Sequence, residues 1–285
     1  MIKIRYMKKR MSNRQFTEFI ESKVKNTVEK HHMIKEGDKV LVGLSGGKDS
    51  AVMYRILKKL YPNVKITGFF IDLGIYDFSK KSLEKIKELV GNDELIVYDL
   101  EKEEGFTIPE AAKKLNRPPC SICGTVKRYI INKYAWENGY NKIAMGHTMD
   151  DEASNIFKEF VNGDINQFVR LGPVLPGKEK LVERIKPLYR NYDGENLLYA
   201  RINNIPFIEE KCPLAIKNRK YKKWLRIMER DSPGIELTML HSYKVFKKSL
   251  DVEEPKLNHC KICGYLTTGE ICSFCRIKMK LKEKE

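Results

Sequence analysis

Lys39-Val40-Leu41-Val42-Gly43-Leu44-Ser45-Gly46-Gly47-Lys48-Asp49-Ser50-Ala51-Val52-Met53-Tyr54-Arg55-Ile56-Leu57 decides how the rest of the chain is read. Its first half is an apolar, β-branched run of the kind that forms a buried parallel strand. Its second half has helical spacing, with Val52, Ile56 and Leu60 on one side. Between them lies a tight turn at a helix N-terminus. Gly46 and Gly47 let the backbone turn and bring N–H groups close to an anion, and the helix dipole favours negative charge there. Lys48 adds a cation, and Ser45 and Ser50 add hydroxyl donors. Ser45, Gly46, Gly47, Lys48, Asp49 and Ser50 are thus candidate phosphate-binding residues. The competing reading is a glycine turn that merely carries charge. The Walker spacing, four residues between its first Gly and Gly-Lys-Ser/Thr, is absent.

Working outward, a second strand is expected over 64–71, a helix over 79–90, a third strand over 95–98 and a fourth over 142–145. Gly146-His147-Thr148 closes the fourth strand, and helical spacing resumes at Asp150. Strands alternating with helices predict an α/β fold with a doubly wound parallel sheet, whose ligands sit at the carboxyl ends of the strands. Residues 45–50 and 146–151 both fall at such ends and can share a ligand. Upstream, Ser12 and Gln15 form a capping-box signature for a helix over 13–32, while the basic residues 1–11 are expected to fray. Downstream, 164–190 reads as irregular, helices are expected over 193–203, 218–230 and 235–250, and 251–258 reads as a linker. A compact module over 259–277 and a charged, disordered tail close the chain. The expected organisation is a basic segment and helix (1–35), an α/β domain around the anion-binding loop (36–190), a helical extension (191–255) and a small module with tail (256–285).

With 285 residues the chain can bury a proper core. Its 54 basic and 38 acidic residues leave a net charge of +16, a field that favours polyanions, nucleic acid above all, although solubility alone could also select it. No apolar run approaches the roughly 20 residues of a membrane span, and no signal-peptide core follows the basic N-terminus. A cytoplasmic protein with no membrane partner and reduced thiols is expected.

Seven cysteines, an odd number, fit a disulfide framework poorly. Cys260-x-x-Cys263 and Cys272-x-x-Cys275 stand eight residues apart, which is the pattern of a structural, four-thiolate Zn2+ site. Such a site leaves no open position for catalysis, and metal binding supplies folding energy to a module this short. His259 is a competing ligand, but four cysteines suffice. The other three are Cys120, Cys123 and Cys212. Two close thiolates and one remote one can hold a 4Fe–4S cluster with one iron left open. The same spacing also fits a redox dithiol at Cys120 and Cys123, or a merely buried Cys212.

S-G-G-K-D-S at 45–50 resembles the PP-loop of ATP pyrophosphatases. Joined in order by C-S-I-C-G-x-x-K-R at 120–128, G-H-T-M-D-D-E-A at 146–153, R-I-K-P-L at 184–188 and C-P at 212–213, it makes the chain similar to the tRNA 2-thiolation enzymes. The likeness is greatest to the 2-thiouridine synthetases of the wobble or T-loop uridine. It implies a Rossmann-like PP-loop domain that adenylates the uridine C2 oxygen with ATP and replaces it with sulfur. It also implies a 4Fe–4S cluster on Cys120, Cys123 and Cys212, and Asp151 as a catalytic residue. The partners implied are tRNA, a sulfur donor (sulfide or a sulfur-carrier protein) and a second copy in a homodimer.

Residue chemistry supplies the remaining roles. Lys48 clamps the departing pyrophosphate, Asp150 and Asp151 are placed to hold Mg2+, and Gly146 with the Ile71 backbone borders the adenosine. Lys127, four after Cys123, shares its helix face and can neutralise the α-phosphate or the activated base. For each the plain alternative is a helix-capping carboxylate or a surface lysine. Residues 217–226 combine cations with Tyr221 and Trp224, suited to a looped-out nucleotide, unless Trp224 is core. The N-terminus lacks the zinc knuckles typical of the family, and Lys3, Arg5, Lys8, Lys9, Arg10 and Arg14 are candidate RNA contacts instead. Three readings compete: a 2-thiocytidine synthetase, a PP-loop amidotransferase or lysidine-type ligase, and a non-catalytic zinc-ribbon adaptor.

Overall fold

The computed structural model describes residues 2–4, 9–215, 220–250, 252 and 256–283. Strands β1 (Ile2–Ile4) and β2 (Lys9–Met11) pair antiparallel, Ile2 opposite Met11, where the composition predicts a frayed segment. Ile2 and Met11 both pack on the main core, which is what orders the segment. Arg5, Lys8 and the Lys3 side chain lie outside the described residues; Lys9, Arg10 and Arg14 are exposed. Helix α1 (Asn13–Lys30) starts at the expected capping box: the Ser12 side chain accepts from the Gln15 N–H and the Gln15 side chain accepts from Ser12. It turns Phe16, Ile20, Val24 and Val28 into the core.

The central elements follow as β3 (Lys39–Leu44), α2 (Lys48–Leu60), β4 (Lys65–Asp72), α3 (Tyr76–Val90) and β5 (Leu95–Asp99). Next come α4 (Leu100–Glu104), α5 (Ile108–Leu115), α6 (Pro119–Glu137), β6 (Lys142–Ala144) and α7 (Met149–Asn162). The stretch expected to be irregular holds α8 (Ile165–Phe168), β7 (Val174–Leu175) and β8 (Glu183–Ile185). These strands have two and three residues, too short to display a period. They complete a six-stranded sheet in the order β5-β4-β3-β6-β8-β7, parallel except for β7 at the edge. The sheet is therefore doubly wound and mostly parallel. The segment that includes R-I-K-P-L earns its place structurally: Ile185 is core, and Lys186 makes a buried ion pair of 2.6 Å with Glu152 on α7.

Three helices follow, α9 (Asp193–Ile202), α10 (Lys220–Asp231) and α11 (Ile235–Ser249). Then β9 (Asn258–His259), β10 (Leu266–Thr267) and α12 (Ser273–Lys282) form the cysteine module. One face of the sheet is covered by α1, α2 and α9, the other by α5, α6 and α12. Helix α12 runs through residues expected to be a disordered tail, because Phe274, Ile277 and Leu281 line one side and are buried. The module is thus not an appendage. Phe274 stacks on Tyr129 of α6 with centroids 4.0 Å apart and planes at 7°, and Lys278 pairs with Glu104 at 2.6 Å. None of the described helices is long and apolar enough to cross a membrane.

Shared packing has a measurable consequence. Phe274→Ala should remove about 3 kcal/mol of stability from the whole chain, read as a lower urea midpoint in one cooperative transition. An unchanged midpoint for residues outside the module would show that the module is energetically separate.

Candidate functional site

Residues 45–50 join the end of β3 to the start of α2, and the turn is held by its own hydroxyls. The Ser45 N–H donates to Ser50 Oγ at 3.2 Å, the Ser50 hydroxyl donates to the Gly47 carbonyl at 3.0 Å, and the Gly47 N–H donates to Ser45 Oγ at 3.4 Å. Gly46 has φ of +78°, and a Cβ there would lie 2.7 Å from Ser82 Cβ, so only glycine fits. Its carbonyl accepts from the Ile208 N–H at 2.8 Å, which ties the loop to the segment leading to Cys212. Gly146 stands directly against this loop: a Cβ would meet Ser50 N at 3.0 Å and Asp49 C at 3.2 Å. Ile71 is buried one residue before the end of β4, the strand beside β3. The sequence-predicted loop, Gly146 and Ile71 therefore meet at the carboxyl edge of neighbouring strands.

Charged groups surround the loop. Lys48 Nζ lies 2.7 Å from Asp49 Oδ2 and also donates to Asp193 Oδ1. Arg226 of α10 reaches the other Asp193 oxygen at 2.8 Å, and Asn196 donates to Asp49 Oδ1 at 2.9 Å. Burial works against the Lys48 charge, but the two carboxylates outweigh it and raise its pKa. For Asp193, too, burial is outweighed, here by the lysine and arginine, and its pKa is lowered. Asp150 is buried, accepts from the Asp193 N–H at 2.7 Å, and burial raises its pKa. Asp151 fills the capping box of α7 with Thr148 and pairs with Lys222 at 2.7 Å; burial would raise its pKa, but Lys222 lowers it overall. The aspartates thus cap helices and also stand in one network with the loop lysine. Sequence reasoning misses Asp193 and Asn196, and gives Lys222 and Arg226 no role beside the loop. Each stands far along the chain from its partner, and none carries a local signal.

The three-cysteine set converges on the same region. Cys120 and Cys123 occupy the first turn of α6, and the Cys120 thiol donates to the Leu214 carbonyl at 3.5 Å, drawing in the Cys212 segment. Cys123 and Cys212 pack with Met145, the residue before Gly146, on one core cluster. Burial raises the Cys123 thiol pKa, with the charge and hydrogen bond of Lys127 pulling the other way and Cys120 and Cys212 close enough to add to the rise. Lys127 also acts on His147, whose pKa is lowered chiefly by burial. The charge of Lys127 therefore bears on both the Cys123 thiol and the 146–151 segment. All three cysteines are free thiols rather than a disulfide. Among the described residues, the C-terminal four sulfurs gather as tightly as a single ion requires.

In the C-terminal module the four cysteine sulfurs lie within 4.8 Å of one another, with Cys263 and Cys272 at 3.8 Å. A zinc tetrahedron with Zn–S of about 2.3 Å has edges of about 3.8 Å, so the donor set fits that ion. The Cys272 N–H donates to Cys260 Sγ at 3.3 Å and the Cys275 N–H to Cys272 Sγ at 3.4 Å, as thiolate knuckles require. His259 is exposed and outside the group.

Residues 12–226 match the PP-loop domain family, and residues 257–276 match the RecR four-cysteine zinc finger domain. The chain is similar to the tRNA-5-methyluridine(54) 2-sulfurtransferase of Thermotoga maritima, 37% identical over 290 residues that cover 100% of this chain and 95% of the relative. The Thermus thermophilus protein of the same name is 39% identical over 268 residues, covering 92% of this chain and 83% of that one. Among solved structures, the U34-tRNA thiolase NcsA from Methanococcus maripaludis with its 4Fe–4S cluster superposes with a TM-score of 0.86 and 26% identity, over 99% of this chain and 93% of that chain.

Two outcomes follow from the geometry. Gly146→Ala must push the loop backbone aside, so Mg·ATP affinity should fall about tenfold or more in calorimetry while the melting temperature changes little. Unaltered affinity would place the nucleotide elsewhere. Glu236, buried beside Asp150 and Glu229, has its pKa pushed up to about 8, burial being the main cause. Folding then takes up a proton there between the pKa of an exposed glutamate, about 4.3, and about pH 8, so stability contributed at low pH is lost as pH rises through that window. Glu236→Gln should flatten this decline, measured as melting temperature against pH.

Proposed function

The chain belongs to the PP-loop family of tRNA 2-thiolation sulfurtransferases, and on that premise we propose that it thiolates the T-loop uridine at position 54 in an ATP-dependent reaction. The observation that carries this reading is the tie between the anion-binding loop and the thiols: the segment leading to Cys212 donates from the Ile208 N–H to the Gly46 carbonyl at 2.8 Å and, two residues past Cys212, accepts from the Cys120 thiol at the Leu214 carbonyl at 3.5 Å. An amidotransferase or ligase has no use for such a triad, and an adaptor none for the loop. The choice of position rests on relatives of 37% and 39% identity that carry the 5-methyluridine name along most of their length, against 26% for the wobble-uridine thiolase.

The reaction asks specific things of the side chains. A uridine C2 oxygen leaves poorly, so it first attacks the α-phosphorus of ATP, breaking the α–β bond and releasing pyrophosphate. Sulfide then adds at C2, and AMP departs with the original oxygen; no net oxidation occurs. The backbone N–H groups of Gly46, Gly47 and Lys48, with Ser45, Asp49 and Ser50 shaping the turn, hold the β- and γ-phosphates. Lys48 neutralises the pyrophosphate as it leaves. Gly146 and the Ile71 backbone border the adenosine. Asp151, held ionised by Lys222, and Asp150 take Mg2+ together with the phosphates. Lys127 stabilises charge on the α-phosphate and the activated base. Cys120, Cys123 and Cys212 hold a 4Fe–4S cluster, which when bound supplies an iron free of protein ligands for sulfide. Cys260, Cys263, Cys272 and Cys275 hold Zn2+ structurally. The reading includes a sulfur donor, either sulfide or a sulfur-carrier protein, and a homodimer at work in the reducing cytoplasm.

Anaerobic protein incubated with unmodified tRNA, ATP, Mg2+ and sulfide, followed by nuclease digestion and mass spectrometry, tests this directly. A 2-thiouridine derivative mapped to position 54 is expected, with Lys127→Ala and Asp151→Ala each about a hundredfold or more slower. Thiolation of the wobble uridine would correct the position. Thiocytidine, or no thionucleoside at all, would overturn the reading.

A further inference from the structure

Helix α10 has two working faces. On the inner one, Lys222 and Arg226 pair with Asp151 and Asp193 beside the phosphate loop, and Leu225 is wholly buried. On the outer one, Trp224 is 46% exposed rather than in the core. Its ring meets Tyr221 edge-on at 5.5 Å and Phe157 of α7 at 6.4 Å, and Tyr221 meets Phe157 at 5.8 Å. Lys220 Nζ lies 4.9 Å from the Tyr221 ring centre and 5.9 Å from that of Trp224. Lys223 and Arg230 project into solvent from the same helix. Residues 217–219, which carry two further cations, lie outside the described residues.

A large ring braced by two aromatic neighbours, exposed on one side and with Lys220 over it, is poorly suited to a protein core but well suited to a nucleobase. Stacking engages the ring face, and the cations meet the adjoining phosphates. A protein partner would also bury aromatics, but the excess of lysine and arginine along α10, five against two acidic residues, favours a polyanion. We propose that Trp224, supported by Tyr221 and Phe157, is a stacking platform for an unpaired nucleotide of the tRNA substrate, on the helix whose opposite face meets the nucleotide site. This inference rests on the thiolation reading. It adds a contact that reads the RNA and ties that contact, through Lys222 and Arg226, to the carboxylates beside Lys48.

The test uses the full chain, loaded with its metals under anaerobic conditions, and the affinity for unmodified tRNA at fixed salt. Trp224→Ala should weaken binding about tenfold, while Trp224→Phe, which keeps a stacking ring, should recover most of it. Lys223→Ala should weaken binding and reduce the salt slope by about one. If Trp224→Ala lowers the melting temperature, Trp224→Leu carries the same comparison with bulk retained and the ring removed. Equal tRNA affinity in wild type and the ring-deleted variants overturns the platform but leaves the thiolation reading intact. A wild-type protein that binds no tRNA and forms no thionucleoside overturns the thiolation reading instead. Intact tRNA affinity combined with a defect seen only when a carrier protein supplies sulfur would assign the surface to that protein and also overturn the platform.

Discussion

Lys48 stands between two carboxylates, Asp49 from its own helix and Asp193 from α9, and the site is built around that contact. The lysine is fixed at the first position of α2, where the turn after β3 ends. The carboxylates keep it charged although it is half-buried. Asp193 in turn engages Arg226 and, through its N–H, Asp150, so α2, α7, α9 and α10 are fastened together by one chain of charges. The cations here are already partly out of water, and Asp49 and Asp193 have further partners in Asn196 and Arg226 besides Lys48.

The seven cysteines divide by the geometry each set can offer. Four thiols gathered on two knuckles match the edge of a zinc tetrahedron, and they close the metal off from chemistry. Their module is anchored by Phe274 against Tyr129, on the helix that also bears Cys120, Cys123 and Lys127. Helix α6 thus has the four-cysteine module packed against one part of it and a free thiol pair near its start. Cys120 meets the Cys212 segment at the Leu214 carbonyl, and the charge of Lys127 bears on both Cys123 and His147. The segment 208–214 joins the loop at 45–50 to the thiol pair at the start of α6.

Much of this was legible in the sequence because the signals are local. The loop at 45–50 needs only a strand, two glycines and a helix start, and the capping box at Ser12 and the cysteine spacings are read within a few residues. The four principal strands were visible by their apolar runs. Strands β7 and β8 were not, since two or three residues cannot show a period. The terminal helix was available in Phe274, Ile277 and Leu281, but the intervening lysines made the segment look like a solvated tail. The links from Lys48 to Asp193 and from Lys222 to Asp151 were out of reach, since they join residues 145 and 71 positions apart. Trp224 was ambiguous for a related reason. Only packing shows that Leu225 takes the core position and leaves the indole outside.

Iron, acid-labile sulfide and zinc per chain, measured on anaerobically purified protein beside Cys212→Ala and Cys272→Ala variants, test the central claim most directly. Wild type should carry a four-iron cluster and one zinc. Cys212→Ala should lose iron and keep zinc, and Cys272→Ala should lose zinc first. Iron retained in full by Cys212→Ala, or iron lost from Cys272→Ala with zinc intact, would contradict the division of the cysteines on which the account rests.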